Sequence, residues 1–282
     1  MPARPLDGRV VVLTGATAGI GRATALRLVG RGATVVACAR SEDALAALAA
    51  EHPRIVPRRC DVSSDADRVA LVDATTSEQG RIDALVNNVG IGWSGLVEEM
   101  TVDQIRRLFE VNVVGALDLT RLVLPQMLER RDGDVVFVAS AASWFAAPPL
   151  SAYAATKYAV AGFSEGLRRE VATRGVRVHS VHPGLVSTEF AARSAGAVPG
   201  EVGASPAAGP GFPPSWVAAA IERTLTQPSH DVVAVPRLLG LTRVVKLPPL
   251  RQAVDLLVAA NAQRIARVSR RIATRDAGAG VR

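Results

Sequence analysis

Residues 151–160 read SAYAATKYAV and set a phenol, Tyr153, four positions before an ammonium, Lys157, among Ala, Ser and Thr. On a helix, positions i and i+4 share a face one turn apart. A lysine there favours the ionised form of a phenol whose ordinary pKa is about 10. Such a pair can give and take a proton near neutral pH. Surface helices also carry Tyr and Lys at this spacing with no chemical role, so the rest of the chain must decide. A second stretch, TGATAGIG at 14–21, puts Gly15, Gly19 and Gly21 directly after the apolar run VVVL. Glycines at such a turn let the backbone approach a pyrophosphate at the N-terminus of the next helix. The four histidines, His52, His179, His182 and His230, show no metal-ligand spacing, so a zinc enzyme is not expected.

The elements that must position these residues alternate. Short β-branched runs at 10–15, 34–39, 54–62, 82–88, 134–140, 176–184 and 231–236 read as seven strands. Helical patterns follow from about 19 to 31, near 42–50, over about 101–130, and from 151 to a C-cap at Gly175. Strands apolar on both faces and joined by helices predict an α/β, doubly wound (Rossmann) domain with a seven-stranded parallel sheet. The Pro/Gly/Ala-rich stretch at 192–214 lacks periodicity and follows a strand end, so a substrate lid over about 188–214 is expected.

The chain has 282 residues, 49% of them hydrophobic, enough for a full core. Two cysteines, Cys38 and Cys60, are too few for a disulfide scaffold and are expected to be reduced and buried. The N-terminal apolar stretch is too short for a signal-peptide core, and no run of about 18 apolar residues appears. A cytoplasmic protein is the expectation. The net charge of +7 is uneven: residues 237–282 hold 10 basic and 2 acidic side chains, against 23 and 24 in residues 1–236. A near-neutral body argues against a nucleic-acid partner.

Taken together, the motifs resemble the short-chain dehydrogenase/reductase family in its single-domain branch, over roughly residues 7–236. TGATAGIG resembles the family's cofactor loop, which implies contacts from Gly15, Thr17, Ala18, Gly19, Ile20 and Gly21. CDV at 60–62 resembles the segment that meets the adenine, through Asp61 and Val62. NNVG at 87–90 resembles the family's NNAG, with Val89 in place of Ala, and implies Asn88 and Gly90. PGLVST at 183–188 resembles the turn around the nicotinamide, with Pro183, Gly184, Val186 and Thr188. Asn112, Ser140, Tyr153 and Lys157 fall where the family keeps its catalytic four. The resemblance implies that Tyr153 is the acid/base in a hydride transfer and that Lys157 favours its ionised form and holds the nicotinamide ribose. It implies further that Ser140, closing the fifth strand, positions the substrate oxygen. Asn112, in the middle of the long helix, would hold a water leading to Lys157.

Cofactor choice turns on ACARS, at the end of the second strand. Ala39 stands where an acid would bind the ribose 2′-hydroxyl of NAD, and Arg40 and Ser41 follow, able to grip a 2′-phosphate. NADP is expected over NAD, with Arg22 a second candidate for the phosphate. Aromatics are only 4% of the chain, yet Trp93, Trp144, Phe145, Phe190, Phe212 and Trp216 fall in segments expected at the site mouth. Trp93, Trp144, Phe145 and Phe190 are the expected substrate-pocket residues, suited to an apolar ketone or alcohol. The tail at 237–282 reads as a basic amphipathic helical extension. It is expected to touch anionic lipid, cover the sheet edge or contact a partner subunit, and the resemblance implies a homodimer or homotetramer. The alternative to an oxidoreductase is a non-turnover NADP(H)-binding sensor or scaffold acting through that tail.

Overall fold

The structure, a computed structural model, describes residues 4–190, 194, 211–227 and 232–240. Seven strands form one parallel sheet: β1 (Val10–Thr14), β2 (Thr34–Ala39), β3 (Ile55–Arg59), β4 (Ala84–Asn87), β5 (Gly133–Val138), β6 (Val176–Pro183) and β7 (Val232–Val235). Their order is β3-β2-β1-β4-β5-β6-β7, so the chain winds outward in both directions from the junction of β1 and β4. A crevice opens at the carboxyl ends of strands at such a junction. Pro57 lies on the edge strand β3, where a missing N–H is tolerated, and Pro183 stands at the very end of β6.

Side chains alternate across the strands and build two cores. Val11, Leu13, Val35, Ala37 and Val86 pack on α1 (Gly19–Val29), α2 (Glu42–Ala49) and α7 (Pro214–Thr226). Val10, Val12, Val36, Leu85 and Phe137 pack on α3 (Asp65–Gln79), α5 (Gly115–Arg130) and α6 (Ser151–Val171). Cys38 and Cys60 are free and buried in the second core, as expected.

Several boundaries differ from the sequence reading. The helix expected over 101–130 is α4 (Val102–Phe109), a π-helical turn at Glu110–Val114, and α5. The fifth strand stops at Val138, so Ser140 does not close it; Ser140 caps the N-terminus of a 3₁₀ turn, Ala141–Ser143. α6 ends at Val171, and Gly175, with φ +84°, turns the chain into β6 rather than capping the helix. Helices α3 and α7 lie where no helix was read. Of the expected lid, residues 188–190, 194 and 211–214 are described; residues 211–214 lead into α7, with Phe212 bridged to Val186. Most of the tail, from residue 241, lies outside the described residues. Among the described residues, no helix is long and apolar enough to cross a membrane.

Candidate active site

β1 ends at Thr14 and turns at Gly15, whose φ of +67° favours glycine. Two residues into α1, a Cβ on Gly21 would collide with the carbonyl oxygen of Gly15, so the helix seats on the loop only with glycine there. NNVG braces this turn from β4. Asn88 Nδ2 donates to the carbonyls of Thr14 (2.9 Å) and Gly15 (3.2 Å). Thr14 Oγ1 accepts from the N–H groups of Asn88 (3.0 Å) and Val89 (3.1 Å). On the far side, Thr188 covers Gly19: a Cβ on that glycine would lie 2.9 Å from Thr188 Cγ2.

Tyr153 and Lys157 stand in the first two turns of α6, and Lys157 is 4% exposed. Lys157 Nζ lies 5.8 Å from the centroid of the Tyr153 ring and donates to the carbonyl of Val138 (3.0 Å). Burial pushes this lysine down to about 8. Burial pushes the Tyr153 phenol up to about 12, and a hydrogen bond with the Ser140 side chain acts against that rise. The chain's own groups thus leave the phenol protonated at neutral pH; they do not draw it toward working pH, as the spacing alone suggested.

Asn112 sits in the π-helical turn, a distortion frequent at functional sites. It is buried, and its amide is engaged on two sides. Oδ1 accepts from Ile91 N–H (2.8 Å), while Nδ2 donates to Ile91 O (2.9 Å) and to Thr156 Oγ1 (3.1 Å). Thr156 Oγ1 in turn donates to Tyr153 O (2.7 Å). One side chain therefore ties the segment following NNVG to the helical turn between Tyr153 and Lys157.

Ser140, Tyr153 and Lys157 open on one cavity of about 840 Å³, while the buried Asn112 is not part of its wall. Its wall includes Gly15, Thr17, Ala18, Gly19, Ile20, Gly21, Arg40, Ser41, Asp61, Val62, Asn88, Gly90, Pro183, Gly184, Val186 and Thr188, with Ser140, Tyr153 and Lys157. The residues fit a dinucleotide. A helix N-terminus with glycines suits a pyrophosphate. A Cβ on Gly90 would stand 3.4 Å from both Asn112 Oδ1 and Lys157 Nζ, so glycine keeps space in front of the lysine. Burial would raise the Asp61 carboxyl, but hydrogen bonds from Ser63 and the guanidiniums of Arg107 and Arg40 hold it below its ordinary value.

Of the expected substrate residues, Phe145 and Phe190 line this cavity, and Phe190 lies against Tyr153 with ring centroids 5.7 Å apart. Trp93 and Trp144 do not. Trp93 is buried at 2% exposure, and Trp144 is buried with its ring stacked on His182. Trp216 is 49% exposed, stacked on Phe212. Position beside a motif does not fix which way a ring points, and both buried indoles went to packing. Arg22, the second phosphate candidate, pairs with Glu51 at 2.6 Å on the surface. Ser41 Oγ accepts from Ala44 N–H (3.3 Å) as the cap of α2. The sequence reading missed Arg107 on α4, which reaches the cavity wall and donates to Ser63 Oγ (2.5 Å). It also missed Ile91, Leu150, Leu185 and Leu239, which make the wall apolar. Leu185 lies within PGLVST but was not singled out, and Ile91, Leu150 and Leu239 stand outside the motifs on separate segments.

The chain is similar to known proteins. The short chain dehydrogenase family matches residues 9–197. A dehydrogenase/reductase SDR family protein 7-like of Anopheles gambiae is 34% identical over 248 residues, 83% of this chain and 77% of its own. A 3-oxoacyl-(acyl-carrier-protein) reductase of Thermotoga maritima is 35% identical over 188 residues, 65% of this chain and 76% of its own. A short-chain dehydrogenase from Streptomyces avermitilis superposes with a TM-score of 0.76 at 33% identity, covering 93% of this chain and 98% of its own. A 3-ketoacyl-(acyl-carrier-protein) reductase from Brucella melitensis, complexed with NADH, gives 0.74 at 28% identity, covering 82% and 97%. The glycine turn, the crevice at the sheet's switch point and these likenesses agree: the chain belongs to the short-chain dehydrogenase/reductase family and is an NAD(P)-dependent oxidoreductase.

Proposed function

We propose that this protein is an NADP-dependent oxidoreductase that interconverts an apolar ketone and its alcohol, with Tyr153 as general acid/base. One observation carries the reading: Ser140, Tyr153 and Lys157, the last two one helical turn apart on α6, stand on the wall of the same cavity as the glycine turn. When bound, the dinucleotide supplies or accepts the hydride. In reduction, Tyr153 Oη gives its proton to the carbonyl oxygen as negative charge builds there, and in oxidation it takes that proton back. Ser140 Oγ donates to the same oxygen and holds it in line with the phenol. Lys157 holds the ribose of the nicotinamide half, and its charge favours the tyrosinate when the alcohol is oxidised. Asn112 keeps the helical turn carrying both residues in register with Ile91.

The preference for NADP rests on Arg40. It is exposed on the cavity wall, follows Ala39 rather than an acid, and makes no ion pair among the described residues. A guanidinium there grips a 2′-phosphate that NAD lacks. Phe145, Phe190, Ile91 and Leu150 support an apolar substrate. We assign residues 1–236 to the catalytic domain, with a substrate lid over about 188–214, and residues 237–282 to a basic extension that contacts lipid or a partner subunit of a homo-oligomer. Titration of Arg40→Ala with both dinucleotides tests the cofactor assignment: NADPH affinity falls while NADH affinity holds. Equal losses, or a wild-type protein that prefers NADH, refute it.

A further inference from the structure

Ser140 projects toward Tyr153 from a short turn, and a turn alone does not fix a hydroxyl. What holds this turn lies behind it, on β6. The carbonyl oxygen of Ser140 accepts from Ser143 N–H (3.0 Å) and Ser143 Oγ–H (2.5 Å). His182 Nδ1 lies 3.3 Å from the same oxygen and 2.7 Å from Ser143 Oγ. His182 Nε2 lies 3.0 Å from Ser180 Oγ. Ser143, Ser180 and His182 are all buried, and the Trp144 indole stacks on the imidazole with centroids 4.1 Å apart and planes 22° apart.

The direction of each bond follows from what each atom can do. A carbonyl oxygen only accepts. The single hydroxyl proton of Ser143 is committed to it, so Ser143 Oγ accepts from His182. Both contacts of Nδ1 then require the proton on Nδ1, and in the neutral imidazole this leaves Nε2 to accept from Ser180 Oγ–H. One chain of donors runs from Ser180 through His182 and Ser143 to the peptide of Ser140. Buried, it polarises along its length and resists rotation of that peptide. The peptide plane sets ψ of Ser140, 159°, and so the start of the turn from which Oγ reaches Tyr153.

We propose that His182 and Ser143 are positioning residues that lock the Ser140 peptide and thereby aim the Ser140 hydroxyl at the substrate oxygen. The proposal rests on Ser140 acting on that oxygen, as in the proposed function. The imidazole touches neither substrate nor dinucleotide in this account. Its work is orientation, and it belongs to the transition state, where a misaimed donor costs most.

The test compares Ser143→Ala, His182→Phe, His182→Asn and Ser140→Ala in steady-state ketone reduction and in NADPH titration. Phenylalanine keeps the stack on Trp144 but offers no N–H; asparagine can place an amide N–H near the position of Nδ1. Ser143→Ala and His182→Phe should lower kcat about tenfold or more, the scale of one lost orienting hydrogen bond. NADPH affinity should hold, and His182→Asn should recover part of the loss. Unchanged kcat in folded Ser143→Ala and His182→Phe, beside an inactive Ser140→Ala, overturns this proposal and leaves the proposed function standing. A fall in NADPH affinity that matches the fall in kcat overturns it too, since that marks a merely structural role. Wild-type activity in Ser140→Ala overturns both. Independent of turnover, ¹⁵N NMR of the histidine-labelled wild-type protein should show His182 protonated at Nδ1 only; a proton on Nε2 with bare Nδ1 refutes the chain.

Discussion

Tyr153 and Lys157 share a helix face, and burial moves their titrations in opposite directions, the phenol up to about 12 and the ammonium down to about 8. A protonated phenol beside a buried cation suits the reductive direction, in which a proton must be given. The Lys157 shift makes a signed prediction. Between about pH 8 and 10.5 the unfolded chain holds a proton on this lysine that the folded chain has lost. Stability therefore rises with pH across that window and is lower below it, where the folded protein must bury the charge. Lys157→Met removes this dependence. The stability of the wild type relative to the variant, from urea unfolding without dinucleotide, should grow from pH 8 to pH 10.5. A constant difference across the window would show that Lys157 is not strained by burial.

Elements place these residues by close approach. The Gly15 turn, the start of α1 and Asn88 form one brace, so a single methyl group at Gly21 should disturb all three. Gly21→Ala is expected to cost about 1–3 kcal/mol of stability, the usual range for overpacking, and to weaken NADPH binding as the turn opens. Denaturant unfolding and dinucleotide titration read both; full stability and affinity would mean the loop yields freely. β1, β2 and β4 were legible because each is a short apolar run buried on both faces, whereas the half-exposed edge strands β3 and β7 showed only their β-branched pairs, Ile55–Val56 and Val232–Val233. α3 was not legible, because its buried face includes Arg68, 2% exposed and paired with Asp118 at 2.6 Å, where an apolar residue would keep the period. α7 follows Pro213 and carries a stripe of small alanines, which blurs its start. The π-helical turn was hidden as well: Asn112 looks like any polar residue on a helix until Ile91 and Thr156 are brought to it. Every cofactor residue read from a contiguous motif reached the cavity wall, whereas Arg107 came from a helix with no motif.

Across the whole molecule, charge and chemistry separate. Residues 1–236 hold 23 basic and 24 acidic side chains and every motif, while the excess lies in residues 237–282. Truncation after about Leu247 should leave NADPH binding intact and either abolish a salt-sensitive sedimentation with anionic vesicles, if the tail docks on lipid, or shift the oligomer, if it packs on a partner subunit. Vesicle binding that is unchanged by truncation or by salt would remove the tail from that role. Loss of NADPH binding on truncation would place the tail within the catalytic fold.

The proposed role of Tyr153 in moving the proton stands or falls on Tyr153→Phe, in which the ring stays and only the hydroxyl goes. Turnover of an apolar ketone with NADPH should fall by far more than tenfold, while NADPH titrates as in the wild type. If the variant keeps more than about a tenth of wild-type kcat, a barrier change of only about 1.4 kcal/mol, another group carries the proton and the account is contradicted.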